Sequence, residues 1–351
     1  MIVRSKDYKT AFLMGAGASR GAIGHVILNR KRLKPPLNGD FFQVADTYAR
    51  AKGAGSADGK RLRRLRRVFK TDLPTKGMPT MEEAFSLLYI AKDFPGIYGT
   101  GPGRKPRAGE RQEIEDFLRL AFGIFAALDQ ESEKGTAYDR LAKMLSPGDT
   151  IITLNYDTLM DSALVRRGWD PAVGYCLTGG KRKVQWAPQR KPPDANMAKV
   201  SLLKLHGSVN WYVRGSFGNL ARVFDRKPSK VSAPRKNEMK GHIRQIIPPI
   251  YGKFFGHAQW QQLWTKAHGA LLDADILVVI GCSLIDTDFH LRALLSRIGK
   301  SRKQHGQLFK RVFLVDRVTV RRKWAKALKG CFRACSDSST FERFLRKELK
   351  T

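Results

Sequence analysis

The sequence has few cysteines, no long apolar run and few acidic residues. No two of its four cysteines are spaced C-x₂-C, so the paired ligands of a zinc ribbon are missing and we predict no metal site. No apolar run reaches the roughly 18 residues of a membrane span, and the first residues lack the apolar stretch of a secretory signal. We therefore expect free thiols and a cytoplasmic protein without membrane contact.

Acidic residues are outnumbered, with 31 Asp and Glu against 65 Lys and Arg, which gives a formal net charge of +34. Such a surface attracts polyanions and opposes self-association unless the charges are paired. Nucleic acid and an acidic protein are both candidate partners, and charge alone does not choose between them. The candidate nucleic-acid contacts are the basic stretches 60–67, 226–240 and 300–311.

Short, continuously apolar runs predict an α/β fold. The predicted strands are 9–14, 150–154, 200–205, 274–280 and 311–315. Most of them end in a Gly, Asn or His turn that is followed by a helical pattern, which is typical of a parallel sheet with helices on both faces. The predicted fold class is therefore a Rossmann-like parallel sheet, and ligands of such sheets bind beyond the carboxyl ends of the strands.

Helical spacing without a strong strand separates the first two predicted strands. It includes a basic helix at 60–67 and a capping box formed by Thr80 and Glu83. We therefore predict a Rossmann-like domain at 1–45 and 147–330, a helical insertion at 46–146 and a C-terminal helical tail at 331–351.

Small residues follow the first predicted strand and open a helix. They are Gly15, Ala16, Gly17, Ala18 and Ser19. Small residues let the backbone approach a pyrophosphate, and the N-terminus of a helix favours its negative charge. A tight strand–helix turn that binds nothing is the alternative interpretation.

Polar residues end two further strands. Asn155 could hold a water molecule or a sugar hydroxyl, whereas Asp157 could accept from a carboxamide or cap the next helix. His206 follows the third strand, and because imidazole ordinarily titrates near neutral pH it is a candidate general base. A purely structural histidine is the alternative.

The fourth and fifth strand ends add candidates for phosphate and ribose. Gly281 permits close approach, and Ser283 can bind phosphate. For Asp288 we favour capping of the next helix over catalysis. Asp316 could bind a ribose hydroxyl or be a turn residue.

The motifs Gly-Ala-Gly-Ala-Ser, Thr-x-Asn-x-Asp, Leu-His-Gly and Gly-x-Ser-Leu, in this order, resemble the sirtuin family. They extend from about residue 10 to residue 316. The segments 80–88 and 204–211 are particularly similar to bacterial sirtuin-like proteins of antiphage defence.

The resemblance implies NAD⁺ as substrate. Gly15, Gly17, Ala18 and Ser19 would cradle the pyrophosphate, with Ala16 in the same turn. Asn155 and Asp157 would lie at the nicotinamide ribose and carboxamide, and His206 would match the catalytic histidine. Gly281 and Ser283 would lie near the adenosine half, and Asp40 would correspond to the aspartate of the family's cofactor loop.

Departures from the family pattern favour water as the acceptor. Leu154 stands where deacylating sirtuins have a glutamine, and Phe42 where their cofactor loop has an arginine. We therefore expect an NAD⁺ glycohydrolase that acts by NAD⁺ depletion and is kept silent by oligomerisation or by a partner such as a ring-shaped ATPase–helicase. A protein deacylase or ADP-ribosyltransferase, and a non-catalytic nucleic-acid-binding subunit, are the alternatives.

Overall fold

The computed structural model divides the chain into two compact units. One comprises Met1–Ile23, Glu133–Ile247 and Phe254–Thr351, and the other comprises Gly24–Ser132 and Pro248–Lys253. The residues that the structure describes are 8–53, 55–71, 77–93, 108–132, 135–177, 185–187, 194–214, 220–224, 242–246, 258–285 and 288–349. The predicted contact stretch 226–240 lies outside them.

The strands are numbered along the chain. They are β1 (Thr10–Met14), β2 (Val26–Leu28), β3 (Lys31–Leu33), β4 (Thr150–Thr153), β5 (Gln185–Ala187), β6 (Ser201–Lys204), β7 (Gly207–Arg214), β8 (Leu220–Phe224), β9 (His242–Ile246), β10 (Ile276–Ile280), β11 (Arg311–Val315) and β12 (Cys335–Ser338).

The helices are numbered in the same way. They are α1 (Ala16–Ile23), α2 (Phe41–Lys52), α3 (Ala57–Thr71), α4 (Met81–Asp93), α5 (Ala108–Glu131), α6 (Ala137–Met144), α7 (Leu159–Arg166), α8 (Pro171–Gly174), α9 (Ala258–Asp273), α10 (Phe289–Gln304), α11 (Val318–Ala327) and α12 (Phe341–Leu349).

Six strands of the first unit form one parallel sheet in the order β12-β11-β10-β1-β4-β6. Every residue of β1 and β10 is buried, because helices cover both faces of the sheet. This burial explains why the strands are continuously apolar rather than alternating. The predicted Rossmann-like α/β fold is confirmed. A smaller four-stranded sheet, in the order β5-β8-β7-β9, belongs to the same unit.

The sequence pattern does not predict the sixth strand of the main sheet. β12 has the polar sequence Cys-Ser-Asp-Ser and pairs with β11 at the edge of the sheet. Beyond it, Phe341, Phe344 and Leu345 of α12 are buried in the core of the sheet unit. The predicted tail at 331–351 is therefore built into the sheet unit.

The second unit contains α2 to α5 and the antiparallel pair β2–β3. It begins at Gly24 rather than at the predicted residue 46, because the β2–β3 hairpin and α2 belong to it. Buried phenylalanines fill its centre, and the rings of Phe85 and Phe117 lie 4.5 Å apart between centroids. The predicted capping box at the start of α4 is confirmed, since Thr80 N donates to Glu83 Oε2 at 2.8 Å and Glu83 N donates to Thr80 Oγ1 at 3.2 Å.

None of the helices in the described ranges is long and apolar enough to span a membrane. Trp211 and Trp260 are buried in the core of the sheet unit, and Trp264 packs against it.

Candidate functional site

The candidate residues lie at the carboxyl edge of the six-stranded sheet. In the order of the strands, the residues that follow the strand ends are Asp316, Gly281, Gly15, Asn155 and His206. Neighbouring strands are about 4.8 Å apart, so β11 and β6, which are four spacings apart, are separated by about 19 Å. Because the chain runs from β1 to β4 on one side and returns to β10 on the other, the middle of this edge is a topological switch point.

Three glycines bring the ends of β1 and β10 into backbone contact. Gly15 N donates to Ile280 O at 3.1 Å, and Gly17 N donates to Gly281 O at 2.9 Å. A Cβ on Gly281 would lie 2.0 Å from Ala18 N, and its φ of +58° also favours glycine. The close approach of these two turns therefore requires glycine before any ligand is considered.

The side chain of Asn155 is held by the turn after β1. Its Nδ2 donates to Gly15 O at 3.0 Å and to Ser19 Oγ at 2.9 Å. A carbonyl can only accept, so this contact fixes the orientation of the amide and leaves Oδ1 as its accepting atom. These two hydrogen bonds hold the side-chain amide of Asn155 in one orientation at the carboxyl edge of the sheet.

Ser19 joins Asn155 to Asp157. Its hydroxyl donates to Asp157 Oδ2 at 2.7 Å and also contacts Tyr138 Oη at 3.0 Å. Ser19 is only 1% exposed. The serine that the motif predicts at the pyrophosphate thus has its hydroxyl in a buried network, where it orients the polar residues after β4.

A buried ion pair between Lys204 and Asp161 lies next to this network. Lys204 Nζ donates to the backbone oxygen of Asp157 and contacts Asp161 Oδ2 at 3.0 Å. Tyr175 also donates to Asp161. Burial raises the pKa of Asp157, and the positive charge of Lys204 partly opposes that rise. Asp157 also accepts from Leu159 N at 3.2 Å, so it binds the first backbone N–H of α7 in addition to Ser19, whereas the N-cap position of this helix is Thr158.

His206 follows β6, which lies beside β4, the strand that Asn155 follows. Thr153 and Lys204 are paired residues of β4 and β6, so Asn155 and His206 each follow their strand by the same number of residues. The ring of His206 lies 6.2 Å from that of Tyr156 between centroids. The structure thus brings the two predicted catalytic residues to adjacent strand ends.

Asp288 contacts His206, a pairing that the sequence does not predict. Asp288 Oδ2 lies 3.2 Å from His206 Nε2, and both side chains are almost fully buried. Asp288 also caps α10, as predicted, by accepting from Leu291 N at 3.4 Å. A carboxylate beside Nε2 favours a proton on that nitrogen, so Nδ1 becomes the basic nitrogen of the neutral imidazole. The sequence around Asp288 indicates only a helix cap, because its contact with His206 joins segments that are distant in sequence.

The remaining candidates have differing surroundings. Ala16 and Ser283 are exposed, whereas Ala18 is buried. Asp316 Oδ1 accepts from Arg317 N at 2.6 Å, and burial raises the pKa of this carboxyl. Asp40 belongs to the second unit, where its carboxylate accepts from Leu37 N at 2.7 Å.

The free thiols are Cys176, Cys282, Cys331 and Cys335. Within the described ranges, no group of three or more His, Cys, Asp or Glu side chains could hold a metal ion.

Comparisons with known proteins identify a family. The model of the SIR2-like domain family matches residues 149–329, about half of the chain. A crystal structure of a Sir2 homologue in complex with NAD is similar at 13% identity and a TM-score of 0.43, over 99% of this chain and 94% of that one. A Sir2 complex with the inhibitor EX-527, 2'-O-acetyl-ADP-ribose and deacetylated p53 peptide is similar at 14% identity and a TM-score of 0.40, over 97% and 93%. No curated protein matches the sequence. The family model covers the strand ends that bear Asn155, His206 and Gly281, and the chain belongs to the SIR2-like domain family.

Proposed function

We propose that this protein is an NAD⁺ glycohydrolase that breaks the bond between nicotinamide and ribose. The observation that carries the proposal is the position of Asn155 and His206 on adjacent strand ends, beside the glycine turns of β1 and β10. The edge supplies small residues for a pyrophosphate at its centre and polar side chains for a ribose at one end. Its width of about 19 Å suits an extended dinucleotide.

The proposed ligand lies along this edge. The pyrophosphate would contact the turn at 15–17 and the N-terminus of α1, where backbone N–H groups favour negative charge. Gly281 and the exposed Ser283 would flank it, and the adenosine half would extend towards Asp316. The nicotinamide ribose would then lie at Asn155 and His206.

The reaction needs little covalent chemistry from the protein. The C–N bond breaks with its electron pair moving to nicotinamide, which leaves as a neutral molecule. The oxygen of a water molecule bonds to the ribose carbon, and the released proton passes to His206. Asn155 Oδ1 would orient the water or a ribose hydroxyl, and Asp288 would stabilise the imidazolium that forms. The products are nicotinamide and ADP-ribose. Attack by a group of the ligand itself would give a cyclic isomer instead.

Water is favoured over an acylated peptide as the acceptor. Leu154 replaces the glutamine that the resemblance would place at the ribose, and paired cysteines of a zinc ribbon are missing from the sequence. A protein deacylase or ADP-ribosyltransferase is the second candidate. From the resemblance we further propose that the protein is an antiphage effector that acts by NAD⁺ depletion. Because an uncontrolled NAD⁺ glycohydrolase would deplete the NAD⁺ of its own cell, we propose that it is silenced by oligomerisation or by a partner such as a ring-shaped ATPase–helicase.

One incubation separates these functions. The purified chain is mixed with NAD⁺, with and without an acylated peptide, and the products are resolved by liquid chromatography and mass spectrometry. Release of nicotinamide with ADP-ribose or its cyclic isomer, independent of peptide, supports the proposal. Peptide-dependent formation of O-acyl-ADP-ribose supports the deacylase. A repeat with added DNA and RNA tests nucleic acid as the activator, and nucleic-acid binding without turnover in any arm favours the non-catalytic subunit.

A further inference from the structure

Four polar side chains form a buried cluster next to the carboxyl edge of the sheet. They come from three segments that are distant in sequence: Ser19 of α1, Tyr138 of α6, and Asn155 and Asp157 after β4. Each of the four residues is at most 8% exposed. Buried hydrogen-bonded groups contribute little net free energy, and apolar groups of the same shape can replace them almost without loss. The cluster therefore points to a role other than stability.

Ser19 Oγ is the centre of this cluster. A hydroxyl has one proton to donate and two lone pairs that accept. The proton of Ser19 is donated to Asp157 Oδ2 at 2.7 Å. One lone pair accepts from Asn155 Nδ2 at 2.9 Å, and Tyr138 Oη contacts the same oxygen at 3.0 Å. The hydrogen-bonding capacity of this hydroxyl is thus used within the protein.

The direction of the hydrogen bond between Tyr138 and Ser19 follows from this count. Because the proton of Ser19 lies towards Asp157, Tyr138 Oη donates to Ser19 Oγ. Burial, and next the negative charge of Asp157, raise the pKa of Tyr138 well above its ordinary value, so the phenol keeps its proton and remains a donor. Tyr138 therefore supplies the third hydrogen bond that fixes the position of the serine oxygen.

The side chain of Asn155 depends on that oxygen. Its Nδ2 has two protons, of which one is donated to Gly15 O and the other to Ser19 Oγ. The carbonyl of Gly15 determines which way round the amide lies, and Ser19 Oγ is its second anchor. Any loosening of Ser19 is therefore passed on to Asn155 Oδ1, the atom that is left to accept from a ligand.

We propose that Tyr138 is a positioning residue for Asn155 and acts on it through Ser19. This inference rests on the proposed function, in which Asn155 Oδ1 orients the attacking water or a ribose hydroxyl. It also changes the role expected of Ser19, because the hydroxyl anchors the amide of Asn155 and the pyrophosphate is left to the backbone of the turn at 15–17. Tyr138 lies outside the sequence motifs, and it reaches Ser19 only because the fold brings α6 beside α1.

The test uses Tyr138→Phe, which removes the hydroxyl and keeps the ring that packs against Phe341 of α12. The matched control is Tyr48→Phe in the second unit, which likewise removes the hydroxyl of a buried tyrosine, here one that hydrogen-bonds Asp58. Ser19→Ala and the double variant Ser19→Ala/Tyr138→Phe complete the set. Circular dichroism and thermal unfolding are measured on the same samples to establish that each variant is folded.

Initial rates of nicotinamide release give kcat and KM for each variant. Loss of one neutral hydrogen bond should lower the kcat of Tyr138→Phe by about twofold to tenfold, with KM almost unchanged, because the amide acts on the reacting ribose. The double variant should have the kcat of Ser19→Ala, since Tyr138 acts only through Ser19. Tyr48→Phe should keep wild-type values. A raised KM at unchanged kcat in Tyr138→Phe, or losses that multiply in the double variant, would overturn the proposal.

A second measurement does not depend on turnover. In protein that contains isotope-labelled asparagine, the side-chain amide signals of Asn155 are identified by their loss in Asn155→Ala, and NMR measures the exchange of these protons with water. Exchange should be at least about twofold faster in Tyr138→Phe than in the wild type and in Tyr48→Phe. Equal exchange in the three samples would overturn the positioning role. Faster exchange in a protein whose wild type releases no nicotinamide would support that role and reject only the proposed function.

Discussion

Replacing Asp288 with Asn separates the two contacts of this carboxylate. Asn is as good a helix cap as Asp, so its Oδ1 can still accept from Leu291 N. The amide then presents Nδ2 to His206 Nε2, where the carboxylate Oδ2 now lies at 3.2 Å. A donor facing a donor favours the tautomer with the proton on Nδ1, and the imidazolium also loses its negative partner.

The size of the effect follows from that contact. The pairing of a carboxylate with an imidazolium is comparable in size to a hydrogen bond to a charged group, which contributes about 1.5–3 kcal/mol. At about 1.4 kcal/mol per factor of ten, turnover should fall between about tenfold and about a hundredfold, with little change in stability. The change should appear in kcat more than in KM, because the imidazolium forms only as the reaction proceeds.

The assay is initial-rate nicotinamide release at saturating NAD⁺, with thermal unfolding measured on the same preparations. Asp170→Asn is the control, because Asp170 caps α8 by accepting from Ala172 N at 2.9 Å, and this substitution should leave turnover unchanged. Wild-type turnover in Asp288→Asn, or a loss that matches a fall in melting temperature, would refute the positioning role.

Three further predictions concern stability. Gly281→Ala should lower the free energy of unfolding by about 2–4 kcal/mol, because its Cβ would meet Ala18 N. In contrast, Gly269→Ala, with no neighbouring atom near its Cβ, should raise that free energy by about 0.5–1 kcal/mol in urea titrations. Lys204→Met should destabilise by about 3–5 kcal/mol, because it leaves the buried carboxylate of Asp161 without its cation, and a variant within 1 kcal/mol of wild type in urea would contradict this. Burial raises the pKa of Asp149 to about 6, although the hydrogen bonds from Ser146 N and Thr10 N act to lower this pKa. Because the pKa of this carboxyl is higher in the folded than in the unfolded chain, its contribution to stability is fully present below about pH 4. We expect that contribution to be lost as pH rises from about 4 through 6, which would lower the free energy of unfolding by up to about 3 kcal/mol. Carboxyl-carbon NMR should show this titration midpoint, and a midpoint near 4 would disprove it.

The parallel sheet could be predicted because burial on both faces imposes a simple pattern. A strand such as β10 must be apolar at every position, and the predicted strand 311–315 coincides with β11. The strand ends could be predicted for a related reason, since polar residues such as Asn155 and His206 stand out after apolar runs. The capping box at Thr80 is equally local, because both partners lie within one turn.

Other features depend on contacts between distant segments. β12 is polar because it lies at the edge of the sheet, so it resembles a loop in sequence. The Asp288–His206 contact and the Ser19–Asp157 hydrogen bond appear only after folding. The glycine motif at 15–17 indicated a phosphate turn, but sequence alone could not show that contact with Gly281 also requires those glycines.

Nicotinamide release by the wild-type chain, Asn155→Ala and His206→Ala, measured side by side, tests the central claim most directly. We expect release by the wild type and a loss of at least about a hundredfold in each variant, the size typical of removing a general base, with both variants still folded by circular dichroism. Wild-type rates in both variants would contradict the assignment of this sheet edge as the active site.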